Sequence, residues 1–117
     1  MNFRRYLTSI GLALALLAAP ASAQPQQSHL DMAIAETQKA IHYGTEPHHG
    51  SSFIQHIDNA IDHAVMAQKA HPNMHIKKAI LYLRHGRRIV DGSHWPSILH
   101  KGATQATKAL GQLKAAK

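Results

Sequence analysis

Apolar residues recur at helical spacing in four successive stretches of this chain, and nowhere do they alternate in the two-residue rhythm of a half-buried strand. Ser28 stands as an N-cap with Asp31 three residues on, and Leu30, Ala33, Ile34, Thr37 and Ile41 follow before Gly44 offers a stop. A second stripe opens at Ser52, with Gln55 completing a capping box, and runs through Phe53, Ile57, Ala60, Ile61, Ala64 and Val65 to end before Pro72. Asn73 caps a third, made of Ile76, Ala79, Ile80, Leu83 and Val90, with Gly86 either packing a helix closely or ending this one early. Pro96 suits the first turn of a fourth, carrying Ile98, Leu99, Ala103, Ala106, Leu110 and Leu113. Short connections make sequential helices antiparallel neighbours. The expected fold is all-α, an up-down-up-down antiparallel four-helix bundle.

The N-terminal segment reads as a secretory signal. Arg4 and Arg5 precede a compact apolar run from Ile10 to Ala19, Pro20 breaks it, and Ala21-Ser22-Ala23 fits a signal peptidase site. The run falls short of the roughly 20 residues that a membrane span needs. The expected organisation is therefore a signal peptide over 1–23 and a single domain over 24–117, exported to a periplasm and without a stable membrane span after processing. Exported domains of this size often use disulfides, but this chain has no cysteine. Metal bound only by the folded state would supply stability in their place.

Eleven histidines and no thiol restrict a metal site to imidazole, carboxylate, thioether or backbone oxygen. The histidines also carry a weak repeat. His29, Glu36 and Tyr43 are spaced by seven, as are His49, His56 and His63, then His75, Tyr82 and Ile89, and finally His94, Lys101 and Lys108. Ala-Ile or Ala-Leu pairs recur alongside them at Ala40-Ile41, Ala60-Ile61, Ala79-Ile80 and Ala109-Leu110.

The segments His29-Leu30-Asp31-Met32-Ala33, Asp58-Asn59-Ala60-Ile61-Asp62-His63-Ala64 and Gly92-Ser93-His94 resemble the repeats of the small metal-binding protein family. That resemblance implies a periplasmic, histidine-rich four-helix bundle that binds several divalent metals and is linked to copper sequestration. Glu36, Tyr43, Tyr82, Ile89, Lys101 and Lys108 stand where the pattern would carry histidine, which implies a smaller metal capacity.

Ligands for one ion on one helix are best placed at i and i+4. His56 and His63 lie about 10.5 Å apart along an axis, so they share a face but not an ion. His71 and His75 form the only i, i+4 histidine pair, across the second loop. The up-down topology gathers His29, His71 and His75 at one end, with Met32 and Met74 in support. Thioether beside imidazole suits copper, and Cu(I) in particular. The other end gathers His42, His48, His49 and His94, and His56, His63, His85 and His100 are left along the sides. Met32, Met66 and Met74 are of a type that ordinarily fills a core.

These residues point to a non-enzymatic protein that sequesters or buffers transition metals, copper first, with nickel or zinc as the other candidates. A ferritin-like di-iron site needs four glutamates and two Glu-x-x-His motifs, whereas the chain beyond the signal has only Glu36 and Glu46. There is no HExxH, and c-type haem is excluded without cysteine. A b-type haem is not expected, since Met32 and His100 lie towards opposite ends. The formal net charge is +7, with Lys77, Lys78, Arg84, Arg87 and Arg88 crowding the third helix and Lys101, Lys108, Lys114 and Lys117 the fourth. That basic surface keeps the protein soluble, and no nucleic-acid reading motif accompanies it. The alternative reading is a periplasmic helical interaction module with a basic face and pH-sensitive histidines. The sequence names no protein partner.

Overall fold

The structure, a computed structural model, describes residues 25–47 and 49–117. The expected signal segment, its cleavage site and the candidate ligand His48 lie outside the described residues. Four helices make the fold: α1 (Pro25–Thr45), α2 (Gly50–Ala70), α3 (Met74–Val90) and α4 (Pro96–Ala115). Among the described residues there is no strand. Helices α1 and α3 each pack against both α2 and α4, while α1 and α3 make no contact with each other. Cross-links from Glu36 to His56, Asp58 to Arg87, His75 to Gln112 and Asp31 to Lys117 run every neighbouring pair antiparallel. The chain is an up-down-up-down bundle.

The apolar stripes meet along the bundle axis. Phe53, Ile57, Leu83, Leu99 and Leu113 are fully buried, and Ala33, Ala40, Ala60, Ala64, Ala67, Ala79, Ala106 and Ala109 fill the layers between them. Burying a large apolar side chain stabilises by about 1.5–3 kcal/mol. Alanine offers far less area, so the fold leans on its few large side chains. Thr37 is the one buried polar side chain among the described residues, and its hydroxyl donates to the Ala33 carbonyl at 2.7 Å. It is satisfied within its own helix.

The helix boundaries correct several sequence expectations. Ser28 lies inside α1, which opens at Pro25. Ser52 lies in the first turn of α2, which opens at Gly50 after His49, a residue that makes no side-chain capping bond. Asn73 caps α3 as expected, its side chain accepting from the His75 N–H at 2.8 Å. Pro96 opens α4.

Gly44 stops nothing. It is buried in the last turn of α1, where a Cβ would come within 2.7 Å of the Ala103 Cβ. Gly86 continues α3 and is buried against the backbone of Gly102, so of its two readings the packing one holds. What ends α3 is the left-handed pair Asp91 (φ 23°) and Gly92 (φ 80°), where glycine carries no Cβ penalty.

Candidate metal centre

The seven-residue interval acquires its meaning between α1 and α2. An interval of seven returns to nearly the same side of a helix after two turns. On antiparallel neighbours, two such series face each other rung by rung. His29 faces His63, Glu36 faces His56, and Tyr43 faces His49. All six side chains border the buried stripe and are neither fully exposed nor fully buried.

At the first rung, Nδ1 of His29 and Nδ1 of His63 stand 3.1 Å apart, with ring centroids 5.3 Å apart and planes tilted by 31°. One ring donates and the other accepts. Two imidazole nitrogens sharing one ion at about 2.0 Å are separated by about 2.8 Å at a square-planar corner and about 3.3 Å across a tetrahedron. The observed spacing falls between those values, but the 5.3 Å centroid separation sets the two nitrogens nearly head-on, so an ion replacing the shared proton would sit off the line between them and both rings would turn towards it.

At the second rung, His56 Nδ1 donates to Glu36 Oε2 at 2.6 Å, and Lys39 lies 3.7 Å from the other carboxylate oxygen. Burial pushes the Glu36 carboxyl up, but the hydrogen bonds from His56 and Asn59 and the charges of Lys39 and His56 outweigh it. The carboxyl is held below its ordinary range. Tyr43 stacks on the His56 ring, with planes 3° apart and centroids 5.3 Å apart. This rung is a satisfied structural pair.

At the third rung, Glu46 lies between His42, at 3.1 Å, and His49, at 3.6 Å. Each imidazole takes a different carboxylate oxygen. The loop between α3 and α4 packs at this end, the Ser93 carbonyl and the His94 ring lying against Gly50. Among the described residues, however, no three His, Asp or Glu side chains converge so as to hold an ion.

The end grouping expected from topology therefore differs from the one observed. His29, His71 and His75 do not form a three-ligand set. His29 meets His63 instead. His75 turns to α4, its Nδ1 donating to Gln112 Oε1 at 2.9 Å. His71 is an exposed C-cap of α2. Met32 and Met74 are exposed rather than packed, and so is Met66, which overturns the core-filler reading of all three. Of the candidates left on the sides, His56 and His63 are the ones that cross-link helices, while His85 and His100 are exposed.

Spacing along a single helix separates His56 from His63, and topology alone puts His29 with His71 and His75; neither pairs His29 with His63. The signal for the pairing was the equal interval on two antiparallel neighbours. The basic surface is also partly neutralised, Arg87 forking onto both oxygens of Asp58 and Lys117 reaching Asp31 at 2.8 Å. No described helix is long and apolar enough to cross a membrane. Comparison with family models, curated proteins and solved structures finds no match to this chain.

Proposed function

We propose that the protein is a non-enzymatic, exported metal-binding bundle that buffers or sequesters transition-metal ions, copper first, through histidines on the α1–α2 seam. The observation that carries this reading is the 3.1 Å approach of Nδ1 on His29 to Nδ1 on His63. Two neutral imidazoles at that spacing offer a bidentate site that needs no rearrangement of helices. The ligands come from separate elements, so binding couples to the folded state. Copper heads the list because affinity for nitrogen ligands peaks at Cu(II) among the divalent first-row ions. Nickel and zinc follow on the same donors. The remaining exposed histidines supply weaker, outer binding.

Calorimetric titration of the purified protein with Cu(II) and with Zn(II) tests this. Saturable binding by the wild type, weakened in His63→Asn, is the expected result. A wild-type chain that takes up neither ion defeats the proposal.

A further inference from the structure

Two half-exposed methionines flank the histidine pair, and both helices carry the same His-x-x-Met spacing. His29-Leu30-Asp31-Met32 and His63-Ala64-Val65-Met66 each place a methionine three residues after a histidine. Residues at i and i+3 share a helix surface. Helices α1 and α2 are antiparallel, with His29 opposite His63, so a local two-fold through that contact relates the two motifs. Met32 and Met66 then lie on opposite sides of the pair, each about 4.5 Å along the axis from its own histidine.

Helix geometry brings them inward. Every Cα–Cβ bond tilts toward the N-terminus of its own helix. For Met32 that direction is toward His29, and for Met66 it is toward His63. In an antiparallel pair the two tilts are opposed, so both thioethers lean onto the one level where the imidazoles meet. Neither methionine is core. Met32 is 45% exposed and Met66 49%, although long apolar side chains at helical spacing are normally buried.

We propose that His29, Met32, His63 and Met66 form a four-ligand site for Cu(I), two imidazoles and two thioethers on the α1–α2 surface. The proposal rests on the reading that the His29–His63 pair holds metal, and adds the ligands that complete it and the oxidation state they select. All four donors are neutral, which suits a monovalent ion in a basic protein. Thioether is soft and favours Cu(I) over zinc or nickel. The site needs rotation of the methionine side chains and a turn of both rings, with no movement of the helices, since the ring nitrogens already stand 3.1 Å apart.

The test compares the wild type with Met32→Leu, Met66→Leu, their double variant and Met74→Leu. Cu(I) is delivered anaerobically and its affinity read by competition with a chromophoric Cu(I) chelator, beside Zn(II) affinity by calorimetry. Leucine keeps the size and helix preference, and circular dichroism checks that each variant folds. The double variant is expected to lose Cu(I) affinity by roughly tenfold or more while Zn(II) affinity stays within about twofold. Met74→Leu is expected to leave both unchanged. X-ray absorption of the Cu(I)-loaded wild type is expected to show sulfur neighbours that the double variant lacks.

Unchanged Cu(I) affinity in the double variant overturns the thioether site while leaving the histidine site standing. Equal losses for Cu(I) and Zn(II) overturn it too, because ligand softness then plays no part. A wild type that binds no ion at all removes both readings together.

Discussion

His29 and His63 touch nitrogen to nitrogen, at 3.1 Å, from helices whose residues lie 34 positions apart in the chain. The contact is partly exposed, and a neutral hydrogen bond of this kind contributes only about 0.5–1.5 kcal/mol net. Stability gives little reason for facing two imidazoles here, when an apolar pair on the same seam would serve as well. Under the proposed function the contact is a binding element and not a fastening.

That distinction is measurable. Replacing His63 by alanine should lower the stability of the metal-free protein by no more than about 1.5 kcal/mol. The same change should abolish most of the rise in Tm that saturating copper gives the wild type. Urea denaturation measures the first quantity and a thermal melt with and without copper the second. A large loss of metal-free stability would make the pair structural.

The neighbouring rung behaves in the opposite way. Glu36 and His56 are mostly shielded, with 19% and 18% of their side-chain surface exposed, and the Glu36 carboxyl titrates below its ordinary range. A carboxyl lowered in the folded state binds fewer protons there than in the unfolded chain. Its contribution is therefore whole above the unfolded value of about 4.3 and is lost as pH falls below it. Glu36→Gln should destabilise by about 1.5–3 kcal/mol at neutral pH, the range for a hydrogen bond to a charged group. The gap between variant and wild type should close as the pH is taken down through the acid range. Denaturation curves at several pH values would show it, and a gap that is constant with pH would contradict the assignment.

Glycine supplies a paired test of the packing. At Gly102 a Cβ would strike a Val90 methyl and come within 2.9 Å of the Phe53 ring, whereas at Gly111 it would meet nothing. Both lie inside α4, where alanine is intrinsically favoured by about 1 kcal/mol. Overpacking a close contact costs about 1–3 kcal/mol, which outweighs that preference where the Cβ clashes. Gly102→Ala should therefore destabilise by up to about 2 kcal/mol, and Gly111→Ala should stabilise by about 0.5–1 kcal/mol. Thermal melts of the two variants should move in opposite directions.

Most of the fold could be read from spacing alone. Leu30, Phe53, Ile57, Leu83, Leu99 and Leu113 fall on the expected stripes and are buried, because period 3.6 and a single apolar face leave few other arrangements. Helix ends were less legible. Ser28 and Ser52 are good caps in isolation, yet α1 and α2 begin earlier because nothing at those serines prevents a further turn. Gly44 reads as a stop and Gly86 as either a stop or a spacer, since a buried contact with Ala103 or Gly102 leaves no trace in local sequence. The site was half visible. Both histidine series were evident, but which rung of α1 meets which rung of α2 depends on a loop length and an axial offset that composition does not encode. Met66 was passed over for the same reason, its partner motif being 34 residues away.

The same offset decides between two locations for the proposed copper site. His71 and His75 form the only i, i+4 histidine pair in the chain, which on spacing alone makes them the natural chelate. In the structure they straddle the boundary between α2 and α3. His71 caps α2 with extended backbone, and His75 already donates to Gln112 on α4. An ion there would have to break that bond and draw an exposed loop residue into place, whereas His29 and His63 are already in contact. Preorganised ligands bind more tightly because less ordering is needed on binding. His63→Asn should therefore weaken the highest-affinity copper event by more than the His71→Ala, His75→Ala double variant does. Calorimetric titration of the two proteins side by side measures the difference. A larger loss in the double variant would move the principal site to the α2–α3 loop and away from the α1–α2 seam.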